Sequence, residues 1–131
     1  MHTIEVVRRH AWWLSWKLAW SHVVFRILTI LIIAIVVLGT VYFTGQVIRM
    51  GQRHQTLAFH YNVYVGIDDV RPWQWSLLLP LGWALLVGAN LVFAYTLYRR
   101  DPEAALSLLI FALLSGVPWM AFLFYLTVVN R

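Results

Sequence analysis

The sequence predicts an all-α membrane protein: three transmembrane helices preceded by an amphipathic interfacial helix, with an extended or hairpin-like outer loop joining the first two spans. Three observations predict it. Residues 27–48, 72–98 and 104–130 contain no Asp, Glu, Lys or Arg. The chain is 62% apolar and 11% charged, against roughly 45–50% and about 25% in soluble domains. Its mean hydropathy is +0.74. Water is the wrong solvent for such a chain, and with 131 residues the spans leave no segment long enough for a separate soluble core.

The first span is drawn at residues 22–48. Its centre, ILTILIIAIVVLGTVYF, is interrupted only by small or hydroxyl residues. At 1.5 Å per residue the charge-free stretch extends about 33 Å, enough for a hydrocarbon core of about 30 Å. It is too long for the apolar region of a signal peptide and is expected to persist as an uncleaved anchor. The second and third spans, 74–98 and 104–130, have length to spare, which tilt or interfacial residues absorb. Only RRDPE, residues 99–103, lies between them, so they form an antiparallel hairpin with a cytoplasmic turn. Within it Asp101 is placed to cap the third span, Pro102 suits the first turn, and Glu103 sits beside the positive helix end. The whole, 1–131, reads as a single membrane domain.

Residues 1–21 carry Trp12, Trp13, Trp16 and Trp20, a spacing that gathers indoles on one helical face, with Arg8, Arg9 and Lys17 around them. Indole favours the headgroup level, so this segment is expected to lie in the interface before the first span. With the N-terminus inside, the cytoplasm receives Arg8, Arg9, Lys17, Arg26, Arg99 and Arg100, and the outside Arg49, Arg53, Arg71 and Arg131. The excess of basic residues favours that orientation and places the C-terminus outside. The formal charge of +5 is thus read as topological signal and attraction to anionic lipid, not as a nucleic-acid footprint. Absence of Cys excludes disulfides, thiolate metal sites and thiol catalysis.

Within the spans, Asn90 and Ser115 fall at similar depths and are expected to meet as packing glue. Ala84 with Gly88, and Ala112 with Gly116, offer small-xxx-small faces for close helix approach. Trp83 and Trp119 share a depth near the centre, where they are expected to stack on each other or on a neighbour. A kink at Pro118 would free the Leu114 carbonyl for an indole N–H.

The loop, residues 49–73, contains LAFHYNVYVGIDDVRPW. Phe59, Tyr61, Val63, Val65 and Ile67 alternate with His60, Asn62, Tyr64 and Gly66, a strand-like period. Gly66 with Asp68 and Asp69 supplies turn residues before Pro72, and Trp73 and Trp75 are expected to anchor the loop's exit at the interface. His60, Tyr61, Asn62, Tyr64, Asp68, Asp69 and Arg71 form the chain's one candidate recognition cluster. His54 and His60 are six apart, which matches no helical metal motif, and Asp68-Asp69 beside Arg71 suits a solvated turn with a local ion pair. No metal, cofactor or catalytic set is assigned. On HYNVYVGID followed by an apolar span, residues 57–98 and the hairpin after them, the chain resembles small bacterial membrane proteins that carry no assigned activity. That resemblance implies a bacterial cytoplasmic membrane and an ordered outer loop.

Three classes of function are compatible with these residues. The favoured one is a non-catalytic membrane subunit or interaction protein, with the bilayer and other membrane subunits, or copies of itself, as partners. The second is a lipid-handling protein or membrane enzyme using His60 with Asp68 or Asp69. The third is an oligomeric pore, for which the first span offers little beyond Thr29 and Thr40.

Overall fold

The computed structural model describes residues 2–130, with side chains other than those of 1–11, 61, 62 and 68. It is mostly helical. Helix α1 spans His2–Ser21 and α2 Val23–Arg53; strands β1, Thr56–Asn62, and β2, Gly66–Pro72, follow; a 3-10 turn, Trp73–Leu77, leads into α3, Leu78–Leu97. The chain closes with α4, Pro102–Leu114, and α5, Gly116–Val129. Three stretches, Val23–Arg53, Trp73–Leu97 and Pro102–Val129, are long and apolar enough to cross a membrane. Their length and composition are consistent with a multi-pass α-helical membrane protein.

Helix α2 runs beyond the expected end of the first span, through Arg49 to Arg53. Charge marks where a helix leaves hydrocarbon, not where its hydrogen bonds must stop. Cations in the final turns also suit the negative end of the helix dipole. The third span is interrupted: Ser115 alone separates α4 from α5. Proline has no N–H, so Pro118 cannot donate to the Leu114 carbonyl, and the helical ladder lapses there. At the start of α4, Asp101 caps as its position dictates. Its carboxylate accepts from the Ala104 amide at 2.9 Å, with Pro102 in the first turn.

The chain divides into two compact units, residues 1–35 with 86–115, and residues 36–85 with 116–131. In the first, Ser15 and Ala19 of α1, Phe25, Thr29 and Ile32 of α2, Val87, Ala94 and Tyr95 of α3, and Ala105, Leu109 and Ala112 of α4 are buried. Spacings of three, four and seven put each set on one helical stripe. Tyr95 joins them. Its ring lies 4.7 Å from Trp16 and 5.2 Å from Phe25, and its hydroxyl donates to Thr29 Oγ1 at 3.0 Å, which donates in turn to the Phe25 carbonyl at 2.8 Å. Ser15 Oγ donates to the Tyr95 carbonyl at 2.8 Å and accepts from the Arg99 amide at 3.2 Å.

The core of the second unit is Phe43, Val47, Leu123 and Leu126, with Met50, Trp73 and Trp119 packed against it. Trp83 and Trp119 stack, their centroids 5.4 Å apart and their planes inclined by 14°. Gly39 makes room for that stack, since a Cβ there would lie 3.1 Å from Trp83 Cζ3. Among the described residues the Trp119 Nε1 is buried without an acceptor, so the kinked helix does not supply the partner expected of it.

The two strands form an antiparallel hairpin pairing Thr56 with Pro72, Ala58 with Val70, His60 with Asp69 and Asn62 with Gly66. The alternating run is therefore folded in half. Val63–Val65 form the reversal and Gly66, at φ +85°, takes the left-handed conformation that closes a three-residue hairpin loop. Asp68 and Asp69, expected as turn residues, lie within β2.

Candidate functional site

The expected recognition cluster is spread along the hairpin. His60 is exposed and stands opposite Asp69 in the register. Arg71 Nε donates to both Asp69 carboxylate oxygens, at 3.0 and 3.1 Å, and its guanidinium lies 6.0 Å from the Phe59 ring. The hydrogen bond and charge of Asp69 raise the Arg71 pKa above its ordinary value. The ion pair thus joins two residues of one strand instead of sitting in a turn. Tyr61, Asn62 and Asp68 have side chains outside those described. At the apex, Val63, Tyr64 and Val65 are 84, 96 and 73% exposed. No group of three His, Asp or Glu able to hold a metal occurs among the described residues.

Asn130 fixes the hairpin to α5, a role its position in the sequence does not advertise. Its Oδ1 accepts from the Ala58 amide at 2.7 Å, while Nδ2 donates to the Ala58 carbonyl at 3.0 Å and to the Leu126 carbonyl at 2.9 Å. A side-chain amide here satisfies both backbone groups of one strand residue. At the other end of the hairpin, Trp73 lies over Gly51 so closely that a Cβ at residue 51 would come within 2.9 Å of Trp73 Cε2. Trp75 is exposed.

The indoles of α1 divide their work. Trp16 is half-buried against Tyr95, with Trp12 5.1 Å away, whereas Trp12, Trp13 and Trp20 are exposed. Trp13, Trp16, Lys17 and Trp20 form one wall of an apolar groove of ≈ 570 Å³. Thr29 and Ile33 of α2 and Gly88, Leu91, Val92 and Tyr95 of α3 complete it. Gly88 is one of the lining residues, and among the described residues a Cβ added there would meet nothing within 4 Å. Ala112 and Gly116 are buried, Ala84 and Asn90 half-buried, and Ser115 Oγ donates to the Ala112 carbonyl at 2.7 Å.

A second cavity, ≈ 370 Å³, has the opposite character. Tyr42, Gln46, Arg49, Met50, Arg53 and His54 line it from α2 and the residue after it, and Thr127 and Asn130 from the end of the chain. On α2 the four residues 42, 46, 49 and 53 recur at intervals of four, three and four, so they share one face. Sequence reading assigned Arg49 and Arg53 to topology alone. The signal that could have found the cleft was their spacing with Gln46 and Tyr42.

No family model matches the chain, and neither a curated protein nor a solved structure is significantly similar to it.

Proposed function

We propose that the chain is a non-catalytic integral membrane subunit that packs within a larger assembly and presents its hairpin to a partner. The observation that carries this reading is the hairpin apex, where Val63, Tyr64 and Val65 are almost wholly exposed. Consecutive exposed β-branched and aromatic side chains at the tip of an anchored hairpin are the composition of a contact surface. The thin packing of the helices supports it as well. Only 17, 22 and 22% of the most apolar window of the three spans is covered within the chain, so the remainder is available to lipid and to companion helices. In this reading α1 lies in the interface, the N-terminus is cytoplasmic, and the hairpin and C-terminus face outward across a bacterial cytoplasmic membrane.

A photo-crosslinking residue substituted at Tyr64 tests the reading. It is expected to join the chain to a defined membrane protein or to a second copy, while the same residue at Thr96, on α3, does not. Monomer alone after crosslinking in native membranes refutes it. The groove that Gly88 helps to line favours a second reading, a protein that holds lipid. Its walls are apolar apart from Lys17, Thr29 and Tyr95, and its volume falls within the range of about 300–1,000 Å³ usual for small-molecule sites.

A further inference from the structure

We infer that the cleft lined by Tyr42, Gln46, Arg49, Arg53 and His54 is a site for the phosphate headgroup of an anionic phospholipid. The charge-free stretch of α2 ends at Ile48, and the helix continues unbroken to Arg53. The cleft therefore stands where a spanning helix leaves the hydrocarbon, at the level of the headgroups.

Its chemistry is of one sign. Two guanidiniums and an imidazole line it, together with the amides of Gln46 and Asn130 and the hydroxyls of Tyr42 and Thr127, and no Asp or Glu is among its lining residues. Among the described residues neither Arg49 nor Arg53 has an ion-pair partner; the pair formed on this side of the chain is Arg71 with Asp69. Two guanidiniums four residues apart on a helix lie close enough to converge on one group. Their planar donor forks match phosphate oxygens in pairs. The Asn130 amide is held by Ala58 and Leu126 and the Thr127 hydroxyl by the Phe124 carbonyl. These two shape the wall, while Tyr42 and Gln46 remain as neutral donors beside the cations. The ≈ 370 Å³ of space accommodates a phosphate with the glycerol that carries it.

A simpler role for the two arginines is to offset the negative end of the α2 dipole, and the test separates the two. The full chain in a neutral detergent is titrated with dihexanoyl-phosphatidylglycerol, dihexanoyl-phosphatidylcholine and inorganic phosphate. Calorimetry reads affinity and native mass spectrometry reads stoichiometry. One phosphatidylglycerol per chain is expected, bound about tenfold or more tighter than phosphatidylcholine. The Arg49→Gln/Arg53→Gln double variant is expected to lose that preference, and the double Arg→Lys variant to keep part of it, because it retains charge without the planar fork. Arg53→Glu, a single exposed change, provides an independent loss of selectivity, and thermal unfolding of each variant verifies that the core is intact. Equal affinity for the two lipids, or unchanged selectivity in the double Gln variant, overturns the proposal. Inorganic phosphate binding as tightly as phosphatidylglycerol overturns the assignment to a lipid.

Discussion

Replacing Gly51 by alanine places a methyl group into Trp73, and the cost can be worked from the geometry. The added carbon would lie 2.5 Å from Trp73 Cγ and 2.9 Å from Cε2, whereas carbons in contact sit about 3.5–4.0 Å apart. The indole must retreat by about 1 Å. Because Cγ is the root of the ring, rotation about the Cβ–Cγ bond does not clear the clash, so Trp73 must twist off its preferred Cα–Cβ torsion or shift its backbone. There Trp73 follows Pro72 directly, and its amide reaches the Gln55 carbonyl at 3.4 Å, so a backbone shift moves the base of the hairpin with it. Overpacking of this kind costs about 1–3 kcal/mol, against a gain of about 0.5–1 kcal/mol from replacing glycine inside a helix. Gly45 supplies the control, since it lies in the same helix and a Cβ there meets nothing within 4 Å. The helical gain is common to both variants. Their difference in unfolding free energy, measured by denaturant titration in mixed micelles with tryptophan fluorescence, is therefore expected to be about 1–3 kcal/mol in favour of Gly45→Ala. Equal stability of the two variants would refute the claimed contact between Gly51 and Trp73.

Four further outcomes are expected. Asn130→Leu leaves the Ala58 amide without its acceptor, at a cost of about 1–3 kcal/mol; hydrogen exchange at Ala58 should accelerate, and unchanged protection would exclude the clasp. In a double-mutant cycle, Tyr95→Phe and Thr29→Val should be non-additive by about 0.6 kcal/mol, the average measured for interhelical hydrogen bonds in membranes, and strict additivity would dissolve the pair. Gly88→Leu should fill the groove without unfolding the chain and reduce quenching of the α1 tryptophans by bromine-labelled acyl chains, whereas Gly88→Ala should leave it nearly unchanged; equal quenching in both would show that no acyl chain enters. Asp69 raises the Arg71 pKa, so what the pair contributes is fully present below the ordinary arginine value and is lost only as pH rises through the higher folded value. The Asp69–Arg71 contact, followed by side-chain NMR, should persist from about pH 7 to about pH 10.

The spans and the Asp101 cap were legible because their causes are local: absence of charge over a bilayer's length, and a short acceptor before a proline. The hairpin was legible in period, and in fold as one of two alternatives, but the place of its turn was not. Alternation continues unbroken through Val63 and Val65, because the reversal is itself apolar, and so it conceals the turn that Gly66 closes. Asp68 and Asp69 resembled turn residues by composition, yet the register puts them in a strand. Helix α2 outlasted its apolar stretch because backbone hydrogen bonding is indifferent to the solvent boundary. Asn130 could not be found from sequence, being 72 residues from Ala58, and neither could the seating of Trp16 on Tyr95 or of Trp73 on Gly51. Periodicity identifies the face on which a ring projects, but only the fold determines what that face meets.

The amide of Asn130 has a consequence for anything that approaches the hairpin by its backbone. A two-stranded ribbon has two open margins, each able to recruit a further strand. On the β1 margin, the donor and acceptor of Ala58 are already occupied by a side chain that imitates a neighbouring peptide. An incoming strand must displace Asn130 or dock along β2, where Asp69, Arg71 and Pro72 replace the apolar run of β1. The last described residue of the chain thus serves as a guard, narrowing the directions from which the ribbon can grow.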